Sequence, residues 1–171
     1  MYITINNNIR NIRDILVVFA CKKYSFYTKE YNDEREMLKL LYQTMRALSS
    51  GKIRRELVRY IFELKSLVVN GEAPEVFRCA NCGVDDRKMV FSSKNHGTIC
   101  EECVGIAPDG LPVSKATLYT LQYIVSSTIE KLYTFTVSEE VLGELAMVLK
   151  QYTGPHFDKK FKSLEILEMC V

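Results

Sequence analysis

The sequence predicts a mainly α protein, a helical bundle into which a four-cysteine zinc hairpin is inserted. Three observations carry that expectation. Apolar residues recur at helical spacing over most of the 171 residues. The eight glycines and four prolines fall largely between those runs. The stretch CANCGVDDRKMVFSSKNHGTICEEC, from Cys79 to Cys103, holds two Cys-x-x-Cys pairs with seventeen residues between the inner members. A hydrophobic content of 47% gives a chain of this length enough apolar surface for a core of its own.

A first helix is expected from Ile9 to about Tyr27, where Ile9, Ile12, Leu16, Phe19 and Lys23 fall on one face. Asn32 and Asp33 offer caps for a second, with Met37, Leu40, Leu41, Thr44 and Leu48 inward, up to Ser49-Ser50-Gly51. The third is expected from Lys52 to Val69, with Ile53, Leu57, Ile61, Leu64 and Val68 as its core stripe and Lys52, Arg55, Arg59 and Ser66 opposite. Asn70-Gly71 ends it, and Pro74 follows. After the cysteines, Pro108-Asp109-Gly110 and Pro112 read as a turn. Ser114 caps a fourth helix reaching about Leu132, with Leu118, Leu121, Ile124 and Val125 inward. A fifth opens at Ser138 and runs through Leu145, Val148 and Leu149 to Gly154-Pro155. The tail from His156 to Met169 makes a sixth, with Phe157, Phe161 and Leu164 on one side. The helical domain thus spans 9–171, with the zinc module at 77–106.

The most apolar segment, Ile15 to Ala20, is too short to cross a bilayer. The expected location is the cytoplasm, away from membranes, where disulfides rarely persist. A redox site of the thioredoxin kind needs one Cys-x-x-Cys at a helix start; here there are two, each leading into a loop. Met89–Ser92 and Thr98–Cys100 read as short strands joined by Lys94-Asn95-His96-Gly97. Such a hairpin brings the pairs together, and the spacing matches a tetrahedral zinc site made by Cys79, Cys82, Cys100 and Cys103. The plainer alternative is four buried, reduced cysteines. Four sulfurs close the coordination sphere, so the expected Zn2+ is structural and offers no open position for chemistry. Arg78, Arg87, Lys88 and Lys94 are near enough in sequence to offset the site's negative charge, or are ordinary surface cations. His96 reads as a turn residue, and Cys21 and Cys170 as small buried hydrophobes.

No glycine-rich phosphate loop, His-Glu-x-x-His or nucleophile elbow occurs, so the chain reads as a binding protein and not as an enzyme. Its net charge of +2 is unevenly spread. Residues 1–76 carry thirteen Lys/Arg against nine Asp/Glu, and the remainder ten against twelve. The densest basic stretch supplies Lys52, Arg54, Arg55, Arg59 and Lys65, a candidate phosphate-binding stripe. The competing reading is a solvated helix face with ion pairs such as Arg59 with Glu63. Lys159, Lys160 and Lys162 form a smaller cluster.

The order of these pieces resembles the C-terminal part of the RecO family of DNA repair proteins. The segments that carry the likeness are IRNIRDIL, CANCG, VFSSKNHGTICEEC and HFDKKFKSLEIL. The closing KSLEIL and the Phe-Ser before the second cysteine pair are the most specific. The resemblance implies recombination mediation, annealing of single strands, binding to single-stranded and double-stranded DNA, a RecR-like partner, contact with single-strand-binding protein and help in loading RecA. RecO proteins begin with an OB-type barrel. By the same resemblance, residues 1–8 (MYITINNN) are expected to be a remnant of its last strand, with most of that domain missing. The contrasting expectation is a zinc-stabilised adaptor that binds only protein; an enzyme assembled from scattered residues has no candidate set.

Overall fold

The computed structural model describes residues 35–154. The expected strand at 1–8, the first and sixth helices, Lys159, Lys160, Lys162, His156, Cys21 and Cys170 lie outside the described residues. Within them, four α-helices and a small antiparallel sheet make a mainly α structure.

Helix α1, Arg35–Ser50, buries Met37, Leu40, Thr44, Ala47 and Leu48. Thr44 is tolerated in the core because its hydroxyl donates to the Leu40 carbonyl at 2.7 Å and meets the Tyr133 hydroxyl at 2.6 Å. Gly51 then adopts a φ of 63°, which stops the helix. Helix α2, Arg55–Val69, starts later than the expected Lys52, since Arg54 is extended at φ −58° and ψ 136°. It packs against α1 and against the two later helices, α3 (Lys115–Ser126) and α4 (Glu139–Thr153).

That central position overturns two readings of α2. Ser66, expected to face solvent, is fully buried, its hydroxyl satisfied by the Phe62 carbonyl at 2.6 Å. Lys65, expected on the flank of the basic stripe, is also buried. A helix with neighbours on several sides needs more than one inward stripe, so a single-face reading misplaces the rest. The Lys65 ammonium donates to the carbonyls of Ile124, Val125 and Ser127 at 3.2, 2.9 and 2.7 Å. These lie at the C-terminal end of α3, where a cation answers both the orphan carbonyls and the helix dipole.

The same contact lies at the early end of α3. Apolar spacing continues to Leu132, but the helix stops at Ser126 and Ser127 turns extended, at φ −69° and ψ 148°. A 3-10 turn, Ile129–Lys131, then returns Ile129 and Leu132 to the main core. Replacing Lys65 with methionine is expected to cost about 1–3 kcal/mol, since three carbonyls lose their shared donor. Urea unfolding would check it, and single-strand binding should be unchanged.

Ser114 and Ser138 cap α3 and α4 as their sequence positions predict, accepting from Thr117 N at 3.2 Å and Val141 N at 3.3 Å. The sheet has strand order β2-β1-β3. Strands β1 (Met89–Ser92) and β2 (Gly97–Cys100) pair in the register Met89 to Cys100 and Ser92 to Gly97. A third strand, β3 (Leu111–Pro112), stands where the sequence predicts a turn; its proline is tolerated because β3 is an edge. On the opposite edge Glu75 bridges Gly97. The approach is so close that a Cβ at Gly97 would lie 2.2 Å from the Glu75 carbonyl oxygen.

Two apolar groups meet at this sheet. Met89 and Ile99 pack with Cys79, Cys100 and Ala107. Phe91 instead enters the helical core, where its ring meets Tyr152 edge-on at 5.5 Å. The hairpin is therefore built into the helical body and not merely attached to it.

Candidate metal centre

Residues 75–80 are laid along β2. Thr98 N donates to the Glu75 carbonyl at 2.7 Å, Ala80 N to the Thr98 carbonyl at 2.8 Å, and the Thr98 hydroxyl to the Arg78 carbonyl at 2.9 Å. This places Cys79 beside Cys100. The first turn is closed by Gly83 N on the Cys79 carbonyl at 2.8 Å and Cys79 N on the Val84 carbonyl at 2.7 Å, with Gly83 at a φ of 78°. The second turn follows β2, with Cys103 N donating to the Cys100 carbonyl at 2.9 Å. The four sulfurs so gathered all lie within 4.8 Å of one another. The Sγ atoms of Cys82 and Cys100 are 3.6 Å apart.

The surroundings favour thiolates. Burial works against charge on Cys79, but the N–H groups of Cys100, Cys82 and Asn81 outweigh it and bring the thiol down to about 6. The Cys82 sulfur has the Val84 N–H in its favour. Its hydrogen bonds to the other three sulfurs, together with desolvation, nevertheless push it up to about 12. Without metal, therefore, the sulfurs titrate as one coupled group in which protonation is favoured at Cys82. Burial of Cys100 is likewise outweighed by N–H donors, and its pKa is lowered. Four sulfurs this close, with depressed protonation at two of them, suit a soft divalent cation.

Of the four cations near the site in sequence, Arg87 hydrogen-bonds the Cys100 sulfur and pairs with Glu102. Arg78 turns to Glu75 at 3.1 Å, while Lys88 and Lys94 are exposed. His96 sits in the hairpin turn at a φ of 52° and is no part of the cluster. Sequence reasoning missed Asn81, whose side-chain amide donates to the Cys103 sulfur at 3.2 Å and so links the two turns. Its place inside the first Cys-x-x-Cys was the only signal available.

The basic stripe is less coherent than its sequence suggests. Lys52 is exposed and Arg55 half-buried. Arg54 is pinned to Glu139. Arg59 lies 2.9 Å from the buried carboxylate of Glu63, with its guanidinium 5.7 Å from the Tyr60 ring centre. Lys65 is spent on α3. Among the described residues, Lys52 and Arg55 form no ion pair.

A helical domain carrying a closed cluster of four cysteines on a hairpin is the class of protein that fold and site define. The family model for the C terminus of recombination protein O matches residues 17–165. The chain is 30% identical over 141 residues to the DNA repair protein RecO of Alkaliphilus metalliredigens, covering 81% of this chain and 57% of that protein. It is 34% identical over 110 residues to RecO of Acetivibrio thermocellus, covering 63% and 43%. With RecO of Bacillus pumilus it shares 27% over 165 residues, covering 94% and 64%. The chain belongs to the RecO family. It spans roughly half of the length of the curated relatives it matches. No helix among the described residues is long and apolar enough to cross a membrane.

Proposed function

We propose that this chain supplies the helical and zinc-bearing part of a RecO-type mediator of DNA repair and recombination. It acts by binding DNA and partner proteins and not by catalysis. The observation that carries the reading is the clustering of Cys79, Cys82, Cys100 and Cys103 within 4.8 Å in a chain that matches the RecO C-terminal family. In this reading one Zn2+ is held by the four sulfurs as a structural cross-link, and the protein works in the cytoplasm. The partners proposed are single-stranded and double-stranded DNA, a RecR-like protein and single-strand-binding protein, in the course of strand annealing and RecA loading.

Lys52 and Arg55 are the residues proposed to touch phosphate. Converting both to glutamate is expected to weaken single-strand binding and to lower the slope of log K against log salt by about 1.4, at ~0.7 per lost contact. Arg59 is unsuitable for this test, because a glutamate there would face Glu63. Fluorescence titrations at several salt concentrations measure the slope. Unchanged binding would favour a second reading, a protein-only adaptor, which the engagement of Arg54, Arg59 and Lys65 in internal contacts supports.

Zinc retention should depend on pH with a definite sign. Binding requires four thiolates and so displaces the proton held on Cys82, making affinity rise with pH. As pH falls through about 6, Cys79 gains a proton as well and its contribution is lost. Competition with a chelator at pH 8 and pH 5.5 is expected to show clearly weaker retention at the lower value.

A further inference from the structure

We infer that Cys82 is the reactive sulfur of the module and that a hydroperoxide converts it to a Cys82–Cys100 disulfide, releasing the metal. The inference rests on the zinc reading above and concerns how that site is regulated.

The four sulfurs are unequally protected. Cys79 and Cys100 are buried, and Cys103 is half-buried. The Cys79 sulfur accepts the Cys100 N–H at 3.3 Å. The Cys103 sulfur accepts the Asn81 amide at 3.2 Å, and Arg87 hydrogen-bonds the Cys100 sulfur. Cys82 alone among the four is exposed, and its one nitrogen donor is the Val84 N–H. Access therefore singles out Cys82 as the sulfur an oxidant in solution meets first.

A partner lies within direct reach. Cys100 Sγ lies 3.6 Å from Cys82 Sγ, across the two turns. Burial does not hinder Cys100, because the second step is internal. In the first step the Cys82 thiolate attacks one oxygen of ROOH. An S–O bond forms, the O–O bond breaks, and the alkoxide leaves as ROH with a proton from solvent. In the second, the Cys100 thiolate attacks the sulfenic sulfur; an S–S bond forms, the S–O bond breaks, and hydroxide leaves as water after taking a proton. Two thiolates have lost two electrons in all, and the peroxide has gained them.

The metal then retains only Cys79 and Cys103, too few to hold it. The new disulfide still ties the two turns together, which a variant that simply loses the metal lacks, and Phe91 anchors β1 in the helical core, so the change is confined to the two turns. These carry the exposed apolar side chains Phe77, Val104 and Ile106, within two or three residues of Cys79 and Cys103. Oxidation would thus rearrange an apolar surface while leaving the helical body standing.

The test uses the whole zinc-loaded chain, after elemental analysis of the untreated sample. Hydrogen peroxide is added in steps, zinc release is followed with a chromophoric chelator, and cross-linked peptides are mapped by mass spectrometry. The expected result is one zinc released per disulfide formed, with Cys82–Cys100 as the first cross-link and recovery of zinc binding on reduction. Zinc retained at peroxide levels that oxidise a free-thiol peptide in the same solution would overturn the inference. So would a first cross-link between any other pair. An untreated sample without zinc would sink the zinc reading itself, and this inference with it.

Discussion

Changing Cys79 to serine is expected to abolish metal binding and to unfold residues 77–106, leaving the helices in place. A serine hydroxyl stays protonated at neutral pH and cannot replace the thiolate. The variant also leaves the buried Cys100 N–H without its sulfur acceptor at 3.3 Å. Ligation energy in a module of this size is also folding energy, on the order of 10 kcal/mol. Elemental analysis should show no bound metal. Amide exchange should show lost protection across the hairpin, with α1 and α2 retained.

Phe91→Ala should act in the opposite place. The ring is fully buried and meets Tyr152 edge-on at 5.5 Å, while the Tyr152 hydroxyl donates to the Glu72 carbonyl at 3.0 Å. Removing it opens a cavity between the sheet and the helical core, expected to cost about 3–5 kcal/mol of global stability. Zinc content should not change, since the ring packs in the helical core while the sulfurs sit in the separate group around Met89 and Ile99. A lowered denaturation midpoint with unaltered metal stoichiometry would separate the two roles of the hairpin, ligand carrier and core element. Equal loss of both would mean that metal and core are a single cooperative unit.

The outcome for each element shows which physical signals a single sequence carries. Cysteine spacing is set by what two short turns can bring together, so it anticipated the cluster of four sulfurs and, to within a residue, the strands between them. The caps at Ser114 and Ser138 were equally legible, because capping is a local hydrogen bond. Tertiary surroundings were not. Nothing near Lys65 in sequence marks the three carbonyls at the end of α3, of Ile124, Val125 and Ser127, that draw its ammonium inward. Strand β3 is two residues long and contains a proline, so pairing with β1 alone defines it. The basic stripe looked continuous because its cations are close in sequence; Glu139 and Glu63 take two of them only in the folded chain.

The central claim is a single cation bound by four sulfurs in a RecO-family helical domain. X-ray absorption at the zinc edge, on protein purified without added metal and quantified per chain, addresses it directly. The account expects one zinc with four sulfur neighbours at about 2.3 Å. A folded protein without metal, or a zinc whose shell contains nitrogen or oxygen in place of a sulfur, would contradict it.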